Sequence, residues 1–188
     1  MEENKPKISG FKYGLDFVWE ILKIVVISLA IIVPIRYFLI QPFFVKGASM
    51  EPNYLDGDYL IIDEISYRFE TPKRGEVIIF RYPLDPTQFF IKRVIGLPGE
   101  TVKVENGKVI IEEQSGNSFI LDESKYLDGV NTAGNIETTL ENNEYFVLGD
   151  NRNASSDSRR WGEVDKKLII GRAWLRAWPF NRLGALLK

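Results

Sequence analysis

The 188-residue chain contains no histidine and no cysteine. Without an imidazole, neither a Ser-His-Asp triad nor a histidine-ligated zinc centre can be built, so any hydrolytic chemistry must take its base from Lys, Asp, Glu or Tyr. Without a thiol there are no disulfides, no thiolate metal ligands and no cysteine nucleophile. No cofactor and no metal is expected. Charge of one sign is also scarce. The 24 Lys and Arg stand against 26 Asp and Glu, leaving a net charge of −2 and no positive field for a nucleic-acid partner. A hydrophobic content of 45% is ample for a packed core and argues against extensive disorder.

What the chain does have is one apolar region near its start. Residues from Phe17 to about Ile40 are predominantly apolar, and no charge falls between Ile24 and Ile35. Glu20 and Lys23 lie at one end of that stretch and Arg36 and Tyr37 at the other, where long side chains can snorkel and a tyrosine can sit at an interface. Residues 15–40 are therefore read as one transmembrane helix, with the lipid bilayer as partner. A cleaved signal peptide, with Ser28-Leu29-Ala30 as its small residues, and a soluble core helix are the alternatives. Lys5, Lys7 and Lys12 precede the helix, so the positive-inside tendency leaves residues 1–14 in the cytoplasm and residues 41–188 outside.

After Gln41-Pro42 the pattern changes to short β-like runs punctuated by Gly, Pro, Asn and Asp: Tyr59–Asp63, Val77–Tyr82, Phe89–Ile95, Thr101–Val104, Lys108–Ile111, Tyr145–Leu148 and Leu168–Trp174. Asn106-Gly107 between two such runs is a two-residue hairpin signal. The expectation is a mainly β domain of antiparallel sheets. Residues of about 112–143 are polar, with Phe119-Ile120-Leu121 as their apolar anchor, and read as an inserted excursion.

Three segments carry candidate chemistry. Val45-Lys46-Gly47-Ala48-Ser49-Met50-Glu51-Pro52 is a small-residue turn that leaves the Ser49 hydroxyl accessible and lets backbone N–H groups approach a substrate carbonyl. A plain turn is the commoner meaning of such a stretch. In Phe89-Phe90-Ile91-Lys92-Arg93-Val94, Lys92 shares a strand face with Phe90 and Val94, so folding takes it out of water and disfavours its ammonium form. To serve as a base near neutral pH its pKa must fall from about 10.4 to roughly 8, at a cost of ~3 kcal/mol. A lone lysine more often snorkels into solvent, but the absence of histidine favours the functional reading. The third segment, residues 147–162, is a polar loop between apolar runs, rich in Asp, Arg and Ser. It is either a solvated surface loop or a supporting shell in which a serine orients the neutral amine and Asp/Arg pairs lock the loop.

Gly-Ala-Ser-Met-Glu-Pro (47–52), Arg-Gly-Glu-Val-Ile-Ile-Phe (74–80), Phe-Ile-Lys-Arg-Val-Ile-Gly-Leu-Pro-Gly-Glu (90–100) and Gly-Asp-Asn-Arg…Ser-Ser-Asp-Ser-Arg…Trp-Gly (149–162) together resemble the ordered motifs of type I signal peptidases, in their short single-anchor bacterial form. The resemblance implies a signal-peptidase-like β domain behind a membrane anchor, acting on signal-peptide-bearing preproteins. It implies that Ser49 is the acylated nucleophile and the donor of an oxyanion N–H, and that Lys92 is the general base. It further implies that Ser155 contacts the lysine, that Asp150 partners Arg93 and Asp157 partners Arg159, and that Met50 packs beside the nucleophile. Some members carry a serine at the position of Gly47 that donates to the oxyanion, so the second oxyanion donor here is open. Two rivals remain: a self-cleaving regulator with the same Ser/Lys chemistry, and a catalytically silent membrane-tethered β module. The oligomeric state and the particular preproteins are not readable from the sequence.

Overall fold

The computed structural model describes residues 10–38, 41–127 and 129–186. The chain divides into two units, Met1–Leu39 and Ile40–Lys188. The first contains one helix, α1 (Gly10–Phe38). Its described side chains from Tyr13 to Val33 are almost all exposed, including Phe17, Trp19, Ile24, Ile27 and Ile32 on different sides of the helix. The expected anchor is thus helical, but among the described residues no helix is long and apolar enough to cross a membrane. Lys12, Asp16, Glu20 and Lys23 place four charges in the first half of α1, and Arg36 stands near its end, which confines its uncharged part to Ile24–Ile35. The basic cap at Lys5 and Lys7 lies outside the described residues.

The second unit is mainly β, as the alternation of apolar and polar residues requires. It comprises β1 (Gln41–Phe44), β2 (Tyr59–Asp63), β3 (Val77–Tyr82), β4 (Asp85–Gly96), β5 (Thr101–Glu105), β6 (Lys108–Glu112), β7 (Ser118–Ile120), β8 (Ile136–Thr139), β9 (Glu144–Leu148), the short helix α2 (Ser158–Trp161), β10 (Val164–Asp165), β11 (Ile169–Trp178) and β12 (Gly184–Ala185). One antiparallel sheet runs β1-β2-β11-β3-β4-β9-β10, with β12 also on β11, and a second runs β7-β6-β5-β8. Asn106 and Gly107 both have positive φ, as the two-residue turn joining β5 to β6 demands.

Strand β3 is buried at Val77, Ile78, Ile79 and Phe80 in succession, because the first sheet is covered on both faces there. Val77 and Ile79 face a core made with Val45, Met50, Leu60, Ile62 and Ile91. Ile78 and Phe80 face another, with Val94, Tyr145 and Val147. A third core, including Ile95, Val102, Val104, Ile111 and Phe146, spans the two sheets. The polar stretch 112–143 supplies β7 and β8 to the second sheet, so its backbone hydrogen bonds are met by β6 and β5.

Candidate active site

The turn that follows β1 is held from below. Val45 N–H donates to the Asp58 carbonyl at 2.9 Å and Gly57 N–H to the Val45 carbonyl at 3.0 Å. The side chain of Met50 is wholly buried in the core, so the residue before it is raised toward solvent, and Ser49 is half-buried. Gly47 sits at φ +80°, a left-handed conformation that glycine adopts without the clash a Cβ would bring.

Lys92 comes from the middle of β4, opposite Ile78 of β3. It is only 4% exposed, and its Nζ lies 2.8 Å from Ser49 Oγ. The amine also donates to the Ile91 carbonyl at 2.8 Å. Phe90 flanks it, with Nζ 5.3 Å from the ring centroid. Burial lowers the pKa of Lys92 from 10.5 to about 8, and the carboxylates of Asp157 and Asp150 only partly oppose that fall. A neutral amine has one lone pair. With an N–H directed at Ile91 O, that lone pair can accept the proton of the Ser49 hydroxyl, which is the geometry a nucleophile and its base need.

The polar loop 149–158 packs directly behind this pair. Asn151 N–H donates to the Ser49 carbonyl at 3.0 Å. Gly149 lies so close that a Cβ there would stand 2.4 Å from Ser49 O and 2.2 Å from Ser155 Oγ, which is why no larger residue fits. Arg93 grips Asp150 through two bonds, Nε to Oδ1 at 2.8 Å and Nη2 to Oδ2 at 2.6 Å. Arg159 grips Asp157 likewise, with both bonds at 2.8 Å. Burial alone would raise the Asp157 carboxyl, but Arg159, the Ser155 hydroxyl and the Gly149 N–H together bring it below its ordinary value. Bidentate pairs of this kind fix planar groups in one orientation.

Not every sequence-derived residue takes the contact assigned to it. Ser155 is buried beside Gly149, yet among the described residues its Oγ forms no hydrogen bond of proper geometry, and none joins it to Lys92. Its hydroxyl is near enough to lower the Asp157 carboxyl but is not aligned on it. The Gly47 N–H is occupied by Asp56 Oδ1 at 2.7 Å and is not a free oxyanion donor.

Other residues of the site were assigned no role from the sequence. Asn53 bridges the Tyr126 carbonyl (2.7 Å) and Asp150 Oδ2 (2.9 Å). Arg152, 2% exposed, donates to both oxygens of Glu123, to Thr132 and to the Gly149 carbonyl. That arginine ties the 112–143 stretch to the loop behind the nucleophile. The density of charge in 147–162 hinted at such pairing, but nothing marked Glu123 or Thr132 as its distant ends.

A cleft of about 700 Å³ runs past Ser49 and Lys92. Two sheet edges flank it. Among the described residues β1 pairs only with β2, and β4 begins to pair with β9 only at Arg93, so Gln88–Lys92 keep one edge unpaired there. Phe43, Ile91 and Ala154 are among the side chains that line it.

A probable signal peptidase I-2 of Synechocystis is 38% identical over 89% of this chain and 76% of its own length. A signal peptidase I of Leptolyngbya laminosa is 39% identical over 89% of this chain and 83% of its own. A solved signal peptidase I structure from Enterococcus faecalis is 30% identical and aligns with a TM-score of 0.45, covering 55% of this chain and 97% of that one. The family described as signal peptidase, peptidase S26, matches residues 18–178, and the chain belongs to that family.

Proposed function

We propose that the protein is a membrane-held serine endopeptidase that removes signal peptides from exported preproteins through a Ser49/Lys92 dyad. The observation that carries the mechanism is the 2.8 Å approach of a buried, low-pKa amine to an accessible serine hydroxyl in a chain with no histidine. Lys92 takes the Ser49 proton as Oγ attacks the scissile carbonyl. The Ser49 N–H, which bonds no acceptor among the described residues, donates to the oxyanion. Collapse of the tetrahedral intermediate transfers that proton from Lys92 to the leaving amine and leaves the signal peptide esterified to Ser49. Water, deprotonated by the same lysine, then hydrolyses the ester.

The cleft supports an extended substrate. A peptide laid between the free edges of β1 and β4 can extend their backbone hydrogen bonding, which aligns its carbonyl with Ser49 whatever its side chains. The membrane reading is supported by two features. The exposed apolar side chains of α1 surround it, as for a helix solvated by lipid, with Phe17 65% and Ile24 64% exposed. In the catalytic unit, Phe44, Tyr59 and Trp178 are in register across β1, β2 and β11, with Phe180 stacked edge-on against Trp178 at 4.7 Å. Phe44, which also lines the cleft, and Phe180 are largely exposed, so aromatic surface of the kind that favours a bilayer interface adjoins the substrate path. The positive-inside tendency then places the catalytic unit outside the cytoplasm.

Incubation of the detergent-solubilised full chain with a preprotein, followed by mass spectrometry, is expected to show one cut that frees the mature N-terminus, with small residues at the first and third positions before the cut. Intact preprotein after exposure to folded enzyme would overturn the reading.

Ser155 provides a finer test. Its buried hydroxyl fills the space between Gly149, Asp157 and the dyad, and we assign it the positioning of the Lys92 amine. Ser155→Ala is expected to lower kcat about ten- to a thousandfold with KM and fold little changed, as for a misplaced base. Unchanged kinetics would leave the Ile91 carbonyl as the sole orienting group.

A further inference from the structure

A second cavity, of about 870 Å³, opens between the Phe119–Tyr126 region and the turn that leads from β11 to β12. Its wall carries Arg74, Arg93, Arg176, Arg182 and Lys125. Three of these guanidiniums lie against aromatic rings: Arg74 on Phe119 at 5.6 Å, Arg93 on Tyr126 at 4.0 Å and Arg176 on Tyr54 at 5.6 Å. Such cation–π contact favours the charged guanidinium beside each ring.

The carboxylates do not balance this charge. Glu100 satisfies Arg74 and Asp150 satisfies Arg93, but Arg176 and Arg182 share the single buried carboxylate of Asp58, at 3.0 and 3.2 Å. Arg176 Nε is near Asp58 without hydrogen-bonding geometry, and it is buried with no other partner among the described residues. Lys125 is exposed, and no carboxylate among the described residues lies within ion-pair distance of it; the one acid in the wall, Asp122, accepts from the Ser124 N–H and acts on Lys125 only at longer range. With each carboxylate set against one cation, a positive charge is left over in a cavity with an aromatic lining.

Along one rim, Arg182, Gly184 and Leu186 line the cavity, while the neighbouring Phe180 (73% exposed) and Leu183 (59%) are open to solvent. A basic recess beside exposed apolar side chains fits an amphiphile: the anion in the recess, the hydrocarbon against Phe180 and Leu183. We infer that this cavity is a binding site for the phosphate headgroup of an anionic phospholipid, separate from the proteolytic cleft. The inference rests on the membrane reading of the proposed function, but not on the proteolytic one.

The test uses the full chain in neutral detergent, titrated with dihexanoyl phosphatidylglycerol and, separately, with dihexanoyl phosphatidylcholine and glycerol phosphate, with cleavage of a soluble signal-sequence peptide measured in parallel. Arg182→Gln combined with Lys125→Gln leaves Asp58 paired to Arg176 and does not touch the dyad. Saturable binding of phosphatidylglycerol is expected, at least ~tenfold weaker in the double variant, since each cation near a lipid surface contributes appreciably. Peptide cleavage is expected to be unaltered. Arg182→Lys alone is expected to retain most of the binding. Equal affinity for phosphatidylcholine, equal affinity for glycerol phosphate, or undiminished binding by the double variant would each overturn the assignment. Loss of peptide cleavage in the wild type would instead strike the proteolytic reading, and the lipid titration would still decide this one.

Discussion

Ser49→Ala is expected to abolish preprotein cleavage, with kcat reduced ~10⁴- to 10⁶-fold, while the melting temperature moves by no more than ~2 °C. The first half follows from covalent catalysis. Only Oγ can form the acyl-enzyme, and what remains without it is the contribution of binding and of the oxyanion donor. The second half follows from location. Ser49 is half-buried on a turn whose stability comes from its neighbours: Met50 in the core, Val45 on Asp58, and Asn151 on the Ser49 backbone carbonyl, none of which uses the hydroxyl. The rival nucleophiles are Ser155, Ser156 and Ser158. Ser158 Oγ is buried and accepts the Val147 N–H at 3.0 Å, and Ser155 Oγ is buried with no hydrogen bond to Lys92. Ser156 lines the cleft and is the one competitor a substrate could reach. Ser156→Ala is accordingly expected to keep activity within about threefold of the wild type. The check is a paired cleavage assay with thermal melts, and an active Ser49→Ala enzyme would dismiss the dyad.

The parts of this molecule that were legible in sequence are those with local signals. The strands now named β2, β3, β4, β5, β6, β9 and β11 announced themselves because each buries alternate or continuous apolar residues, and the Asn-Gly turn set the β5–β6 register within two residues. β1 was not visible. It is short and contains Pro42, which argues against a strand unless the strand lies at an edge, and β1 is an edge. β7 and β8 are only three and four residues long and none of their residues is fully buried, so no apolar run marks them. The site divides in the same way. Ser49 and Lys92 are 43 positions apart and Arg93 and Asp150 are 57 apart, so nothing local reports that they meet. The missing histidine narrowed the chemistry, and the family motifs supplied the pairing. Contacts that close the site from outside those motifs, such as Glu123 with Arg152 and Asp56 with Gly47, depend on how loops fold back in space.

Lys92 separates a base from a mere positive charge. If it acted only as a cation, Lys92→Arg would preserve much of the rate. An arginine cannot give up its proton at any accessible pH, so a general-base role predicts that Lys92→Arg is as inactive as Lys92→Ala, both ~10⁴-fold or more below wild type. The pH dependence supplies a second, independent reading. Burial brings the Lys92 pKa down to about 8. kcat/KM is therefore expected to rise about tenfold per pH unit below 8 and to level off above it. Stability follows the same proton. The unfolded chain holds a lysine of ordinary pKa, so between about 8 and 10.5 it binds a proton that the folded protein has released, and folding stability rises with pH across that window. Below about 8 both states are protonated, and the buried ammonium costs the fold ~3 kcal/mol in full. Lys92→Met, which removes the charge while filling similar volume, is thus expected to be inactive yet more stable than the wild type at pH 7, with the difference shrinking as pH approaches 10.5. Chemical denaturation at pH 7 and pH 10 checks the stability claim. A Lys92→Arg enzyme with wild-type turnover, or a wild-type rate that still climbs with unit slope at pH 10, would show that the proton is taken elsewhere.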